Sequence, residues 1–492
     1  MKAALVLVLI GLCLAFAPIH AAQGSFDPAA LDRFLQDQIG AQRLPGLAVA
    51  ITQGDQVVYL NGYGSNGRGG DITPETLFHV ASITKTFTTL AVMQLVETGQ
   101  IDLDTPVQTY LPEFTLADAD AAARITVRHL LMHTSGMSDA GWQGEHQATI
   151  AESVAQLSSA RVLTAPGTTY AYHNPNFWVL GRLVEVVSGQ PYTDYLRANI
   201  LMPLGMESTF VGYTAETGDD DPNKAFGHIL PFGYALMYDS DARIGLSSGG
   251  MVTSAADLSR YLLMLNNGGL VGDAQVITQA SLDQMWTHPT LESDYGLGWF
   301  VDEAALPSGE VVRHIQHGGD LATYHADISV LPDQRIGIVL LYNANHTLSN
   351  LFSFKDIQSG VIALVMGETP TVSDSASTVW RVALFLTILS LIGDVGRLIL
   401  FARWTRKHED TSTLALIPGT LVCFVPLLLL VFLPQIGLLL LGRTGSYTDI
   451  LLSMPEVIFW LVSGTIFGVL RGALRVAFLV RRRQSERELV AA

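Results

Sequence analysis

Cysteine is almost missing from this chain. Its 492 residues hold two, Cys13 and Cys423, each inside an apolar stretch toward one end. The long segment between them can form no disulfide and must be held by an ordinary hydrophobic core. Lysine is also rare, with five in the whole sequence. Positive charge is short overall, 28 Lys+Arg against 45 Asp+Glu, a net charge of -17. The deficit lies in residues 23–375, which carry 15 basic and 38 acidic side chains, whereas residues 376–492 carry 12 basic and 7 acidic. An acidic body of this kind repels nucleic acid, so no nucleic-acid partner is expected. Internal repeats and low-complexity segments are lacking as well.

What is present begins with "MKAALVLVLIGLCLAFAPIHAAQG". Lys2, the apolar run Ala3 to Ala17 and the small Ala21 and Ala22 read as a secretory signal over residues 1–22, with an uncleaved anchor as the plainer alternative. Three apolar stretches close the chain, at 379–402, 414–441 and 451–471, each near the ~20 residues that a spanning helix needs. Asp394 and Arg397 interrupt the first, near its end, where they can pair and snorkel. Arg403, Arg406 and Lys407 follow the first stretch, and Arg471, Arg475 and Arg481 to Arg483 follow the third. The positive-inside rule then puts the tail, 472–492, in the cytoplasm and residues 23–370 outside, joined by a polar linker at 371–378. The expectation is a multi-pass cell-membrane protein with an extracytoplasmic domain, its partners a small-molecule or peptide substrate and the lipid bilayer.

Within the body, Leu31, Phe34, Leu35 and Ile39 have helical spacing. "LAVAITQGDQVVYLNGYG" reads as a hairpin, and "LFHVASITKTFTTLAVMQLVETG" as a buried helix ending before Gly99. Helices and loops follow to about residue 290. Strand patterns then return in "YGLGWFV", "GEVVRHIQHGG", "YHADISVLPDQ" and "RIGIVLLYNAN", before a last helix over roughly 350–366. Strands at both ends with helices between them predict one antiparallel sheet built from both termini beside a helical region.

Three patterns carry chemistry. Ser82 and Lys85 form the sole Ser-x-x-Lys of the chain and share one helix face. At a helix N-terminus a developing anion is favoured, and a lysine there loses affinity for its proton. The plainer alternative is a capping serine beside a solvated lysine. Tyr172 and Asn174 form Tyr-x-Asn before "PNFWVLGRLVEVVSG"; Asn174 at an N-cap with Pro175 next is also ordinary helix initiation, and Tyr170 rivals Tyr172. His317, Gly318 and Gly319 end a strand pattern, where the glycines let a ligand lie along the backbone, or simply make a turn.

In this order and spacing the three patterns resemble the penicillin-recognising serine hydrolases: class C β-lactamases, DD-peptidases and related esterases. "VQTYLPEF", "ITVRHLLMHTSGM", "PLGMESTF", "SSGGMVTSAADLSRYLLMLNNGG" and "YGLGWF" fit the same resemblance, which covers roughly residues 28–366. It implies an α+β fold, a β-lactamase/transpeptidase-like antiparallel sheet flanked by helices with an all-helical region. It implies Ser82 as acylated nucleophile, Lys85 and Tyr172 as general bases, and Asn174 orienting the substrate amide. The backbone N–H groups of Ser82 and Asp320 would form the oxyanion hole. No cofactor is implied. The family usually carries Lys-Thr-Gly or Lys-Ser-Gly where this chain has His317-Gly318-Gly319, and His317 is a poorer cation near neutral pH. An esterase, peptidase or amidase acting on D-amino-acid or lipid-like substrates is therefore as well supported as a β-lactamase. A penicillin-binding sensor and a catalytically dead binding module remain alternatives of the same fold.

Two rival patterns exist. "GLSSG" at 245–249 matches Gly-x-Ser-x-Gly around Ser247, with Asp320 and His325 following in hydrolase order, but polar "YDSDAR" precedes it where a buried strand is needed. His129 with His133, and His314 with His317, have ligand-like spacing but lack a convincing third partner, so no metal is expected.

Overall fold

The computed structural model describes residues 26–138, 149–212, 221–238, 245–287, 293–371, 375–436 and 447–491. The expected signal segment, 1–22, lies outside them, as does part of the expected 414–441 span.

The chain enters through helix α1 (Pro28–Gln42), started by Asp27, whose carboxylate accepts from the Ala29 N–H, and ended by Arg43 in the left-handed region. Strands β1 (Gly46–Gln53) and β2 (Gln56–Gly64) form the expected hairpin. Helix α2 (Thr84–Glu97) follows, then α3 (Pro175–Ser188) and α4 (Ala255–Asn266). Four strands return late: β3 (Phe300–Ala305), β4 (Val311–Asp320), β5 (His325–Leu331) and β6 (Ile336–Tyr342). Helix α5 (Phe354–Val365) closes the body. The six strands form one antiparallel sheet in the order β3-β4-β5-β6-β1-β2, so the two ends of the body meet where β6 pairs with β1.

Strand alternation explains why this sheet is central. In β1, Ala48 and Ala50 join a core shared with α2, α3 and α4, while Leu47, Val49 and Ile51 join a second core with Leu31 and Leu35 of α1 and Ile357 and Val361 of α5. The sheet is thus covered on both faces, and its inner strands β1, β5 and β6 are buried at nearly every position. Helix α2 runs through the first core, with Thr84 through Met93 all buried. That burial accounts for its lack of a polar stripe.

Beyond the body, α6 (Ser375–Ile399), α7 (Thr413–Val431) and α8 (Pro455–Ala491) are each long and apolar enough to cross a membrane. The stretch expected at 451–471 is divided: a helical turn, Tyr447–Ser453, precedes α8, because Pro455 has no N–H to continue it and instead opens a new helix. Asp394 accepts from Arg397 at 2.9 Å and from Arg471 of α8 at 3.2 Å, so the charge inside the first apolar helix is paired.

Candidate active site

Ser82 sits in a 3-10 turn, Ala81–Ile83, that leads into α2. The residue before it, Ala81, has φ +46°, a conformation costly for a residue with a Cβ. Neighbours hold it there. The Thr84 hydroxyl donates to the Ala81 carbonyl at 2.6 Å and accepts from the Met251 N–H at 3.1 Å. The strained turn therefore aims Ser82 out of the helix start rather than capping it.

Two groups meet the Ser82 hydroxyl. Lys85 Nζ donates to Oγ at 3.0 Å and the Tyr172 hydroxyl donates to it at 2.9 Å. Lys85 is fully buried. Its Nζ also donates to the Ser248 carbonyl at 2.6 Å and lies 5.0 Å from the centre of the Tyr172 ring. Tyr172 comes from the loop before α3, ninety positions from Ser82. Its ring packs against His133, with centroids 4.3 Å apart, and His133 accepts the His173 N–H at 3.1 Å, which fixes that loop. Tyr170, the rival tyrosine, packs instead against Tyr295 and His133. Asn174 occupies the position before α3 but has helical backbone angles, makes no capping bond and stands exposed.

Strand β4 borders the turn. A Cβ at Gly319 would fall 2.1 Å from the Val80 carbonyl oxygen and 3.3 Å from the Ser82 nitrogen, so only glycine lets the strand end come this close. A Cβ at Gly318 would make only ordinary contact, 3.7 Å from Asp327 Oδ1. His317 is buried: its Nδ1 lies 2.7 Å from the Gly318 carbonyl, which assigns the proton there, and its Nε2 accepts from the Tyr295 hydroxyl at 3.0 Å. Burial, followed by the charge of Lys85, lowers the His317 pKa to about 3, so the ring is neutral. Burial also raises Tyr295 well above the usual phenol range, which keeps its proton on the donor side of that bond.

Asp320 ends β4 and pairs with His325 at 2.8 Å; His325 also pairs with Asp327 at 3.0 Å. Burial opposes the charge on His325, but the two carboxylates outweigh it and raise its pKa to about 10. Burial likewise opposes the Asp320 carboxylate, yet His325 and the side-chain amides of Asn345 and Asn350 hold it below the usual range. His325 stacks on Phe354, with centroids 4.3 Å apart and rings 8° from parallel.

Ser247 lies in a buried turn, Leu246–Gly249, and its hydroxyl has no hydrogen-bond partner among the described residues. The same segment contributes to the site by another route, through the Ser248 carbonyl on Lys85. The sequence does not reveal that role, since a backbone acceptor leaves no motif; Tyr295 opens the segment "YGLGWF", but nothing in that segment points to its bond with His317. His129 accepts the Thr126 N–H as part of a helix cap, and His314 pairs with Asp302 and Ser329. Among the described residues, no group of three or more His, Cys, Asp or Glu side chains is placed to hold a metal ion.

The family model described as Beta-lactamase matches residues 31–353. Penicillin-binding protein 4 of Amycolatopsis lactamdurans is 29% identical over 319 residues, 61% of this chain and 81% of that protein. Protein flp of Staphylococcus aureus (strain N315) is 25% identical over 325 residues, 64% of this chain; the chain spans 63% of that relative's length. Among solved structures, the octameric penicillin-binding protein homologue from Pyrococcus abyssi matches with a TM-score of 0.54 at 26% identity, over 70% of this chain and 78% of that one.

Proposed function

The chain belongs to the β-lactamase family of serine hydrolases, and from that premise we propose that it is a membrane-anchored, outward-facing hydrolase in which Ser82 is acylated by an ester or amide substrate. The observation that carries this reading is the convergence of Lys85 Nζ and the Tyr172 hydroxyl, 3.0 and 2.9 Å away, on the Ser82 oxygen. As Oγ attacks the acyl carbon, its proton passes to Lys85, in a site dry enough to favour transfer. Tyr172 relays a proton to the leaving alkoxide or amine, and the two groups then deprotonate the water that releases the acyl group. The substrate oxygen, as it becomes negative, accepts from the N–H groups of Ser82 and Asp320. The close approach of Gly319 to Ser82 supports that pocket. Asn174, exposed and free of capping duty, orients the substrate's amide or ester beside them.

His317 sharpens the substrate class. Buried and neutral, it offers no cation to a substrate carboxylate. Substrates that depend on such an anchor, good β-lactams among them, are disfavoured against esters and uncharged amides. The membrane assignment is supported by the three apolar helices, and the outward orientation by the Lys/Arg asymmetry of their flanks.

A fluorophosphonate or a slow ester tests the chemistry. Peptide mass mapping should find the adduct on the segment holding Ser82. An adduct on Ser247 would overturn the assignment, and no adduct with any acyl probe on folded protein would favour a binding module. Orientation is checked by labelling intact cells: engineered cysteines at Ser65 should react and one at Ser485 should not.

A further inference from the structure

Five exposed residues, Tyr234 to Tyr238, run in sequence on a short hairpin, and four are large and apolar: Tyr234 54%, Leu236 55%, Met237 58% and Tyr238 38% exposed. On a soluble face such a patch is costly. Here its place in the fold says what covers it. The residues just before it pack on the apolar helices. A Cβ at Gly233 would lie 2.9 Å from the Trp380 ring of α6, and the Phe232 ring meets Phe459 of α8 edge-on at 6.1 Å. The Phe232 N–H donates to Glu456 in the first turn of α8, and the other oxygen of Glu456 lies 2.9 Å from the buried His346 Nε2. Phe232 has φ +52°, so the chain accepts strain to make this contact. Trp380 and Phe459 each lie about one turn inside a spanning helix, roughly 6 Å along its axis. The hairpin therefore starts at the depth where lipid headgroups meet acyl chains and continues outward from there.

Other features match an interfacial surface. Leu351, 55% exposed, projects from the turn Ser349–Ser353. In the same loop, Thr347 donates to the Ser453 carbonyl just before α8. The exposed Arg43 guanidinium lies over the Tyr234 ring at 4.4 Å. Aromatic rings capped by a cation are the side chains favoured at a headgroup layer.

We propose that the 234–238 hairpin and Leu351 insert into the interface of the bilayer that α6–α8 cross. This rests on the membrane reading above and deepens it. The hairpin is tied to the mouth of the Ser82 site. His228, on its other strand, donates its backbone N–H to the Thr323 carbonyl at 3.2 Å, three residues past Asp320. Asn345, paired with Ile229, donates to Asp320 at 3.2 Å. The substrates that fit this placement are amphipathic esters or amides drawn from the lipid surface.

The test uses the full chain with Cys13→Ser and Cys423→Ser, in nanodiscs of phosphatidylcholine and phosphatidylglycerol. Single cysteines carry an environment-sensitive fluorophore at Leu236, Met237 or Leu351, with Ile388 as the mid-span reference. Ala274, on the hairpin packed at the far end of α2, is the water reference, since Val276 beside it accepts from Gln94. Spin-labelled lipids should quench Leu236, Met237 and Leu351 on the order of tenfold more than Ala274, as expected for side chains within the acyl boundary. Quenching at Ile388 together with no excess at the hairpin would overturn the insertion and leave the membrane reading standing. No quenching at Ile388 would overturn both.

Discussion

Ser82 and Ser247 both match hydrolase motifs, and the two regions that hold them differ in every property that makes a nucleophile. Ser82 is half-buried, follows a strained residue, and receives hydrogen bonds from Lys85 and Tyr172. Ser247 is fully buried in a turn against Gly181, and its hydroxyl finds no partner among the described residues. Motif spacing alone does not separate them. Access and partners do, and both are set by residues far away in sequence. The Ser247 region nevertheless touches the site, because its next carbonyl, that of Ser248, accepts from Lys85 Nζ.

The largest expected effect breaks the comparison outright. Ser82→Ala should abolish covalent labelling and lower turnover on the order of 10⁶-fold, the scale of losing a hydrolase nucleophile. Ser247→Ala should label at the wild-type rate. Mass mapping and single-turnover kinetics on both variants read this directly; labelling of Ser82→Ala at the normal rate would sink the assignment.

Next come the two partners of Ser82. Lys85→Arg keeps the charge but gives up its proton poorly, and Tyr172→Phe keeps the ring without the oxygen. Each should slow acylation at least ~100-fold, the usual scale for lost general-base help. Wild-type acylation by Lys85→Arg would make Lys85 a structural cation only.

How much of this was legible depended on where the information sat. The β1–β2 hairpin, the buried α2 and strands β4 to β6 follow from local periodicity and turn residues, whereas the pattern "YGLGWFV" meets β3 only at Phe300 and Val301. Ser82, Lys85 and Tyr172 were singled out because a family resemblance joined them; the distances add that all three meet at one oxygen. What no local pattern carries is tertiary. The neutral state of His317 needs Tyr295 and burial, the double pairing of His325 needs the turn back from Asp320, and the split of the last apolar stretch needs Pro455 read as a start rather than as part of a span.

Those two histidines, on β4 and β5, titrate in opposite directions. His317, held near 3, contributes stability that is present above its ordinary pKa of about 6.5 and lost as pH falls toward 3. His325, held near 10, contributes stability that is present below about 6.5 and lost as pH rises toward 10. Each limb has a slope of up to ~1.4 kcal/mol per pH unit for one proton. Burial also lowers His129 and His228, which adds to the acid limb, so His317→Gln should reduce that slope and His325→Gln should flatten the alkaline one. Denaturant midpoints measured from pH 4 to pH 10, roughly the span between the two histidines, check this. An alkaline limb unchanged in His325→Gln would show that the Asp320–His325–Asp327 pairing does not hold the charge.

The smallest effect returns to Ser247. A buried hydroxyl without a partner loses its hydrogen bonds to water and gains nothing in return, at a cost of about 1–3 kcal/mol. The wild-type fold bears that cost, because the Ser247 hydroxyl has no acceptor or donor among the described residues. Alanine removes the polar atom and leaves only a small void beside Gly181, where a Cβ would already sit 2.5 Å from the Ser247 side chain. The relief and the lost packing oppose each other, and relief is the larger, since one hydroxyl oxygen makes few contacts. Ser247→Ala should therefore raise the denaturation midpoint by the equivalent of roughly 0.5–1 kcal/mol with acylation unchanged. A nucleophile could not behave so. If Ser247→Ala instead unfolded the protein more easily and slowed acylation together, the hydroxyl would have a partner in solution, and the contrast with Ser82 would fail.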